Sequence, residues 1–242
     1  SNQDLIAIQT AITNRKDSRI VRVFVFDGVS ESLRPREWAE ALLQSALKMR
    51  LSISTLSDNR ALKRWHQSAL QCWKGWRDEE FEPKRQQGPH WMEVRKRVDA
   101  HTTLIIYEPN SNRRGGKVAL IGDSPLFAFS NSELVPPMMM PSEFDHAIGP
   151  ETIGTNKIPK AGDFTYGSIG SRWDKIVLCT DSIGDYLHQK IDNRDEAFKF
   201  IRECIAEDNW RDYLSSQIKL GRGGGGLKDD DLSLLVFEWG SS

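Results

Sequence analysis

The stretch Val21-Arg22-Val23-Phe24-Val25-Phe26-Asp27-Gly28 decides how this chain is read. Its first six residues are mostly β-branched or aromatic, the composition of a strand with at least one buried face. Asp27-Gly28 ends it, because Asp and Gly favour turns. Upstream, residues 4–13 alternate apolar and polar side chains, with Leu5, Ile6, Ile8 and Ile12 apolar, which predicts a strand. The charged residues 14–19 between the two read as a turn. Downstream the period changes. Trp38, Leu42, Ala46 and Met49 recur at spacings of three and four, so residues 35–50 predict a helix with Pro35 in its first turn. A second helix is predicted over residues 59–76, capped by Ser57 or Asp58, with the stripe Leu62, Trp65, Ala69, Trp73 and Trp76 on the core.

Further along, residues 77–88 read as a charged loop and 90–98 as a short helix. Strands are predicted at 102–107, 118–121 and 126–129, the first two joined as a hairpin by the polar loop 108–116. Residues 135–171, rich in Pro, Gly, Met and Ser, read as the longest irregular region. Strands at 175–180 and 232–239 bracket helices expected from near Asp185, at 194–206 and at 210–220, with 221–226 (GRGGGG) as a flexible connector. Strands come as hairpins and helices in pairs. The fold class expected is a layered α+β domain, not a doubly wound one.

Composition sets outer bounds. The chain has 242 residues, 38% hydrophobic and 28% charged, enough to bury a sizeable core. Lys plus Arg number 33 against 34 Asp plus Glu, a net charge of -1, which argues against a broad nucleic-acid-binding surface. No apolar run reaches the roughly 18–20 residues of a membrane span, and no secretory pattern is visible. The three cysteines, Cys72, Cys179 and Cys204, have no CxxC spacing. They fit free, mostly buried thiols in a reducing, cytoplasmic compartment.

Acidic residues stand where the apolar strands begin or end: Asp4, Asp27, Asp123, Asp181 and the run Asp229, Asp230, Asp231. A single Asp at such a place is ordinarily a turn or cap residue. Their joint placement is different. Carboxylates gathered near a core repel one another and lose hydration unless a cation joins them. Oxygen ligands without His or Cys suit hard divalent ions, and a pair of such ions can clamp a phosphoryl group and acidify a water.

The ordered blocks NQD (Asn2, Gln3, Asp4), VFVFDG ending at Asp27-Gly28, ALIGDSPLF around Asp123, IVLCTDS around Asp181 and KDDDLSLLVF around Asp230 carry a family resemblance. Together they resemble the metal-dependent PP2C-type (PPM) protein phosphatases, whose pattern runs NED, FDG, GDSR, SDG and DN before a strand. Thr102-Thr103 fits the family's GSTA-like block, and the ending looks like a bacterial branch. Each block alone is weak; five in order, spanning nearly the whole chain, are specific.

The resemblance implies an α-β-β-α sandwich of two antiparallel sheets flanked by helix pairs. It implies one such domain over residues 1–242, without the first strand and the phosphate-binding Arg that members carry upstream of the first block. It implies two Mn²⁺ or Mg²⁺ ions, with Asp27 bridging them, the Gly28 carbonyl on one, and Asp181 and Asp230 completing the other site. Asp4 would orient metal-bound water, and Asp123 would help hold a third ion. Gln3 stands where the family often has a Glu, a weaker ligand for want of charge. The implied reaction is hydrolysis of phosphoserine or phosphothreonine on proteins by metal-activated water, without a phosphoenzyme. The implied partners are a phosphoprotein substrate and a cognate Ser/Thr kinase or its targets, with no nucleic acid and no membrane. Val29 replaces a His that many eukaryotic members have as general acid, Pro125 replaces the Arg of GDSR, and Ser182 replaces the Gly of SDG. Gln3, Pro125, Ser182 and the absent upstream Arg support an alternative, a PP2C-like pseudophosphatase serving as a regulatory or binding module.

Other features read more plainly. VFVFDGV lacks the second Asp of haloacid-dehalogenase phosphatases, since Val29 takes that place. The five His are scattered, and residues 223–226 lack the GK[ST] of a phosphate loop. Arg34 and Arg36, close in sequence to Asp27, could greet an anionic substrate, against a default of a solvated helix end. Met138, Met139 and Met140 read as loop packing or a partner surface.

Overall fold

The computed structural model describes residues 3–13, 17–29, 32, 34–85, 99–111, 114–131, 137–141, 151–191, 193–205, 210–221 and 231–239. Strands β1 (Leu5–Thr13) and β2 (Asp17–Gly28) form an antiparallel hairpin in which Leu5 faces Phe26 and Ile6 faces Val25. β2 then pairs β3 (His101–Pro109), β3 pairs β4 (Gly116–Ile121), and β4 pairs β8 (Thr165–Ile169), with the short β7 (Ile153–Gly154) also on β3. The second sheet runs β10 (Leu234–Glu238), β9 (Lys175–Cys179), β5 (Leu126–Phe129) and β6 (Met138–Met140). Every pairing is antiparallel.

Alternation along the strands sorts the core into three layers, since successive side chains point to opposite faces. Val23, Val25, Ile105, Tyr107, Val118 and Leu120 meet Leu126, Ala128, Ile176 and Leu178 between the sheets. The opposite face of the first sheet, with Phe24, Phe26, Leu104, Ile106, Ala119 and Ile121, is covered by α1 (Pro35–Met49), α2 (Ile53–Leu56) and α3 (Asn59–Arg85). The opposite face of the second sheet, with Phe127, Phe129, Val177 and Cys179, is covered by α4 (Asp181–Gln189), α5 (Arg194–Ile205) and α6 (Trp210–Gly221). The expected four-layer α-β-β-α sandwich is the observed one. No helix among the described residues is long and apolar enough to cross a membrane.

The helices follow their stripes. Leu62, Trp65, Ala69 and Trp73 of α3 are buried, and the Asp58 carboxylate accepts the Arg60 N–H at 2.9 Å at the helix start. Trp38 of α1 donates its indole N–H to the Ile153 carbonyl at 2.8 Å and stands edge-on to His66 and Trp73. His66 Nε2 hydrogen-bonds the Gly154 carbonyl at 2.7 Å in the core, while its buried Nδ1 has no hydrogen-bond partner among the described residues.

Several sequence expectations are corrected. α3 continues to Arg85 where a loop was expected from residue 77; a charged turn beyond the buried stripe still forms backbone helix bonds. Residues 135–171 are not irregular throughout, for β6, β7, β8 and a 3₁₀ turn at Ala161–Asp163 lie there. Met138–Met140 pair with β5 as a sheet edge. α4 starts at Asp181, not near Asp185. Of the cysteines only Cys179 is buried; Cys72 is exposed and Cys204 half-buried, and all three are free. The short helix expected at 90–98 and most of the connector at 221–226 lie outside the described residues.

Candidate active site

Strand parity decides which acids meet. Continuing the β1–β2 register one residue past Leu5 and Phe26 sets Asp4 opposite Asp27, both on the face between the sheets. On the second sheet the same face runs from Ile176 and Leu178 to Thr180, and on β10 from Phe237 and Leu235 back to Ser233. Thr180 and Ser233 lock together: the Thr180 N–H donates to the Ser233 carbonyl at 3.1 Å, and the Ser233 N–H donates to Thr180 Oγ1 at 3.0 Å. Asp4, 3% exposed, has Ser233, Asp27 and Thr180 close enough to its carboxyl to favour the charged form, so the two sheets meet at this edge.

Asp181 follows Thr180 at the first position of α4, where the positive end of the helix favours a carboxylate. Its N–H donates to Asp27 Oδ2 at 3.3 Å. Asp123 comes from the crossing between the sheets. Gly122, at φ +104°, makes the turn after β4, and a Cβ there would lie 2.5 Å from the Thr103 side chain. Ser124 then donates to Asp27 Oδ2 at 3.4 Å and shares a 2.7 Å hydrogen bond with Thr103 Oγ1, while Thr102 Oγ1 donates to the Asp27 carbonyl at 2.8 Å. Asp27 is thus held from both sheets, by its backbone and by its carboxylate.

Electrostatics follow from the crowding. Burial pushes the Asp27 carboxyl up to about 9, and the charges of Asp4, Asp181 and Asp123 add to it against the Asp181 N–H, which opposes. Asp4 is pushed up to about 6, by burial first, with the charge of Asp231 adding and its hydrogen bonds opposing. A carboxyl that holds its proton at neutral pH lacks a counter-charge, which a cation among these oxygens would supply. Asp27, Asp123, Asp181 and the Gly28 carbonyl are hard oxygen donors, the ligand type that Mg²⁺ or Mn²⁺ prefers. Among the described residues, no group of three or more His, Cys, Asp or Glu side chains is placed to hold a metal ion. Asp230 lies outside the described residues.

Two neighbours complete the floor. A Cβ on Gly28 would come within 2.9 Å of both Gln3 Cβ and the Gln3 carbonyl, and 3.0 Å of Pro35 Cβ, so only glycine lets β1 and α1 close on this point. Gln3 Oε1 is buried and has no hydrogen-bond partner among the described residues, as an oxygen awaiting a cation would be. The Gln3 N–H donates to Asp231 Oδ2 at 2.6 Å. Ser124, Thr180 and Ser233 were not singled out by sequence, and Asp231 was read only as one of the run Asp229, Asp230, Asp231. For Asp231 the available signal was its place two residues before Ser233, within a run of three acids that spacing alone does not separate.

The substituted positions have plain surroundings. Val29 continues the β2–β3 ladder, its N–H donating to the His101 carbonyl at 3.1 Å. Pro125 packs under α4, where a Cβ on Gly184 would meet its ring at 2.4 Å. Ser182 is buried in the first turn of α4. Cys179, one residue before Thr180, is no nucleophile: burial pushes its thiol well up, and the charges of Asp181 and Asp27 add to that.

No family model matches the chain, and no curated protein matches it. Solved structures do. The serine/threonine phosphatase Stp1 from Staphylococcus aureus superposes with a TM-score of 0.53 at 15% identity, over 100% of this chain and 90% of that one. A bacterial serine phosphatase superposes with a TM-score of 0.50 at 14% identity, over 98% of this chain and 91% of that one. A variant of a bacterial serine phosphatase gives 0.52 at 15% identity, over 99% and 92%. At these identities the likeness speaks for architecture, and with the sandwich and its topology it establishes that this chain has the PP2C-type (PPM) phosphatase fold.

Proposed function

We propose that this chain is a metal-dependent protein serine/threonine phosphatase, a single domain over residues 1–242 that hydrolyses phosphoserine or phosphothreonine. The observation that carries the reading is the acid cluster at the sheet edge, where Asp27 is pushed up to about 9 among Asp4, Asp123 and Asp181. Asp27, the Gly28 carbonyl, Asp181 and Asp230 would hold two Mn²⁺ or Mg²⁺ ions, with Asp123 serving a third and Gln3 lending a neutral oxygen. Bound there, such ions polarise a phosphoryl oxygen and lower the pKa of water.

The protein's own groups have separable tasks. Ser124 and the Asp181 N–H fix Asp27 Oδ2, so this carboxylate does not have to be ordered when substrate arrives. Asp4, steadied by Thr180 and Ser233, orients the attacking water and takes up its proton. The buried thiol of Cys179 takes no part. The substrate is a phosphoprotein, a target of a cognate Ser/Thr kinase, and the three free cysteines fit a reducing cytoplasmic setting.

A second reading, a pseudophosphatase that binds and does not turn over, is favoured by Gln3 in place of a charged ligand and by Pro125 in place of Arg. One assay separates the two: phosphate release from a phosphothreonine peptide with Mn²⁺, with chelator, and by Asp27→Asn and Asp181→Asn. Metal-dependent release that both substitutions abolish supports the enzyme. Metal binding without release supports the binding module.

A further inference from the structure

The layer between the second sheet and its helices is not filled evenly. Over β5 and β9 it is dense, for Phe127, Phe129, Val177 and Cys179 are buried together with Ala197, Phe200 and Ile201 of α5. Over β10 it is looser. Leu232, Leu234 and Val236, on the helix-facing side of that strand and its approach, are only partly buried, as are Cys204 of α5 and Leu214 of α6. A hollow of about 180 Å³ lies there, lined by Ile183, Cys204, Ile205, Leu214, Leu232 and Leu234. Four elements wall it: the first turn of α4, the end of α5, α6, and β10 with the residues leading into it. Ile205 is 47% exposed, so the hollow opens to solvent on that side.

Five of these six side chains are aliphatic. The sixth, the Cys204 thiol, is pushed up to about 12 by burial, with the charge of Glu203 adding, so it keeps its proton and acts as a small apolar group. Water gains little in such a space, because it needs about two to four polar partners and these side chains offer only a weak thiol donor. Interiors are otherwise close-packed, and an unfilled apolar volume forfeits dispersion contacts that an apolar guest would restore. We propose that this hollow is a binding site for a small apolar molecule the size of a single aromatic ring. An apolar cavity of about 150 Å³ stays dry and takes up benzene, and this hollow is of that order. It is walled by side chains other than those of the acid cluster, yet it adjoins the cluster along the chain on two sides. Ile183 stands two residues after Asp181, and Leu232 directly follows Asp231. The competing view is loose packing at a sheet edge that no molecule fills.

The test uses the full chain in chelator, so it stands or falls apart from the phosphatase reading. Benzene is titrated up to its solubility limit. Methyl NMR of the isoleucine and leucine side chains locates it, and thermal melts read its effect on stability. Saturable shifts are expected at Ile183, Leu214, Leu232 and Leu234, with Tm raised by roughly 3–6 °C at about ten times Kd. Pyridine, of the same shape with a polar nitrogen, is expected to bind at least about tenfold more weakly. Leu214→Trp, which fills the hollow, is expected to abolish both the shifts and the gain in Tm. If Leu214→Trp does not fold, Cys204→Phe decides by the same criterion. No saturable shift at these methyls means loose packing and overturns the proposal. Shifts spread over the surface, pyridine binding as tightly as benzene, or binding that survives in a folded Leu214→Trp or Cys204→Phe protein overturn it equally.

Discussion

Asp27 holds its proton at a pH where a free aspartate has lost it, because its neighbours are acids and water is largely excluded. The consequence for stability has a definite sign. The folded form binds the proton more tightly than the unfolded form, whose carboxyl titrates near 3.8. The metal-free protein therefore loses stability as pH rises from about 4 to about 9. Asp4 contributes in the same direction up to about 6. Asp27→Asn removes the larger part of this slope, so in chelator at pH 8 its Tm should exceed that of wild type by roughly 2–4 °C, about 1 kcal/mol for a chain of this size. Thermal melts in chelator at pH 5, 7 and 8.5 check it; a wild-type Tm that rises across that range would contradict the crowding described here. The acid residues themselves were readable, since Asp4, Asp27, Asp123 and Asp181 each end or begin an apolar run. Their convergence was not. It depends on Thr180 and Ser233 joining the second sheet to Asp4, and on Ser124 reaching Asp27, none of which leaves a local pattern.

At the scale of elements, the close packing of β1, β2 and α1 around Gly28 is the feature most sensitive to change. Gly28→Ala places a methyl group 2.9 Å from Gln3 and 3.0 Å from Pro35, so one of these elements must shift. The expected cost is about 1–3 kcal/mol by denaturant unfolding, with Mn²⁺ affinity falling at least tenfold because Asp27 and Gln3 move with the strand ends. Unchanged affinity would show that the site tolerates a displaced β1. α3 and the 135–171 region show where sequence reading stops. Period-based reading ended α3 where its buried stripe ends, although backbone hydrogen bonds carry the helix on to Arg85. The short strands β6, β7 and β8 are set by their partners β5, β3 and β4, and two to five residues offer no period of their own.

Taken as a molecule, the three apolar layers make a rigid frame, and the acids gather at one edge of the slot between its sheets. The frame was legible because VFVFDG and the helix stripes follow simple periods, and because the motif order matched a known family. The pairing order of the sheets was not written in any segment. A frame that holds repelling carboxylates should be stabilised by the ion that relieves them. At about a hundredfold excess over its Kd, Mn²⁺ should add about 2.7 kcal/mol, raising Tm by roughly 5–10 °C. Differential scanning fluorimetry with Mn²⁺, Mg²⁺ and chelator reads this directly, and Asp27→Asn should abolish most of the shift.

The most direct test of metal-dependent phosphatase activity is release of phosphate from a phosphothreonine peptide with Mn²⁺, by wild type and by Asp27→Asn. Wild type is expected to release phosphate until chelator stops it, and Asp27→Asn to lose at least a hundredfold. No release by wild type at saturating Mn²⁺, or release that Asp27→Asn leaves intact, would contradict it.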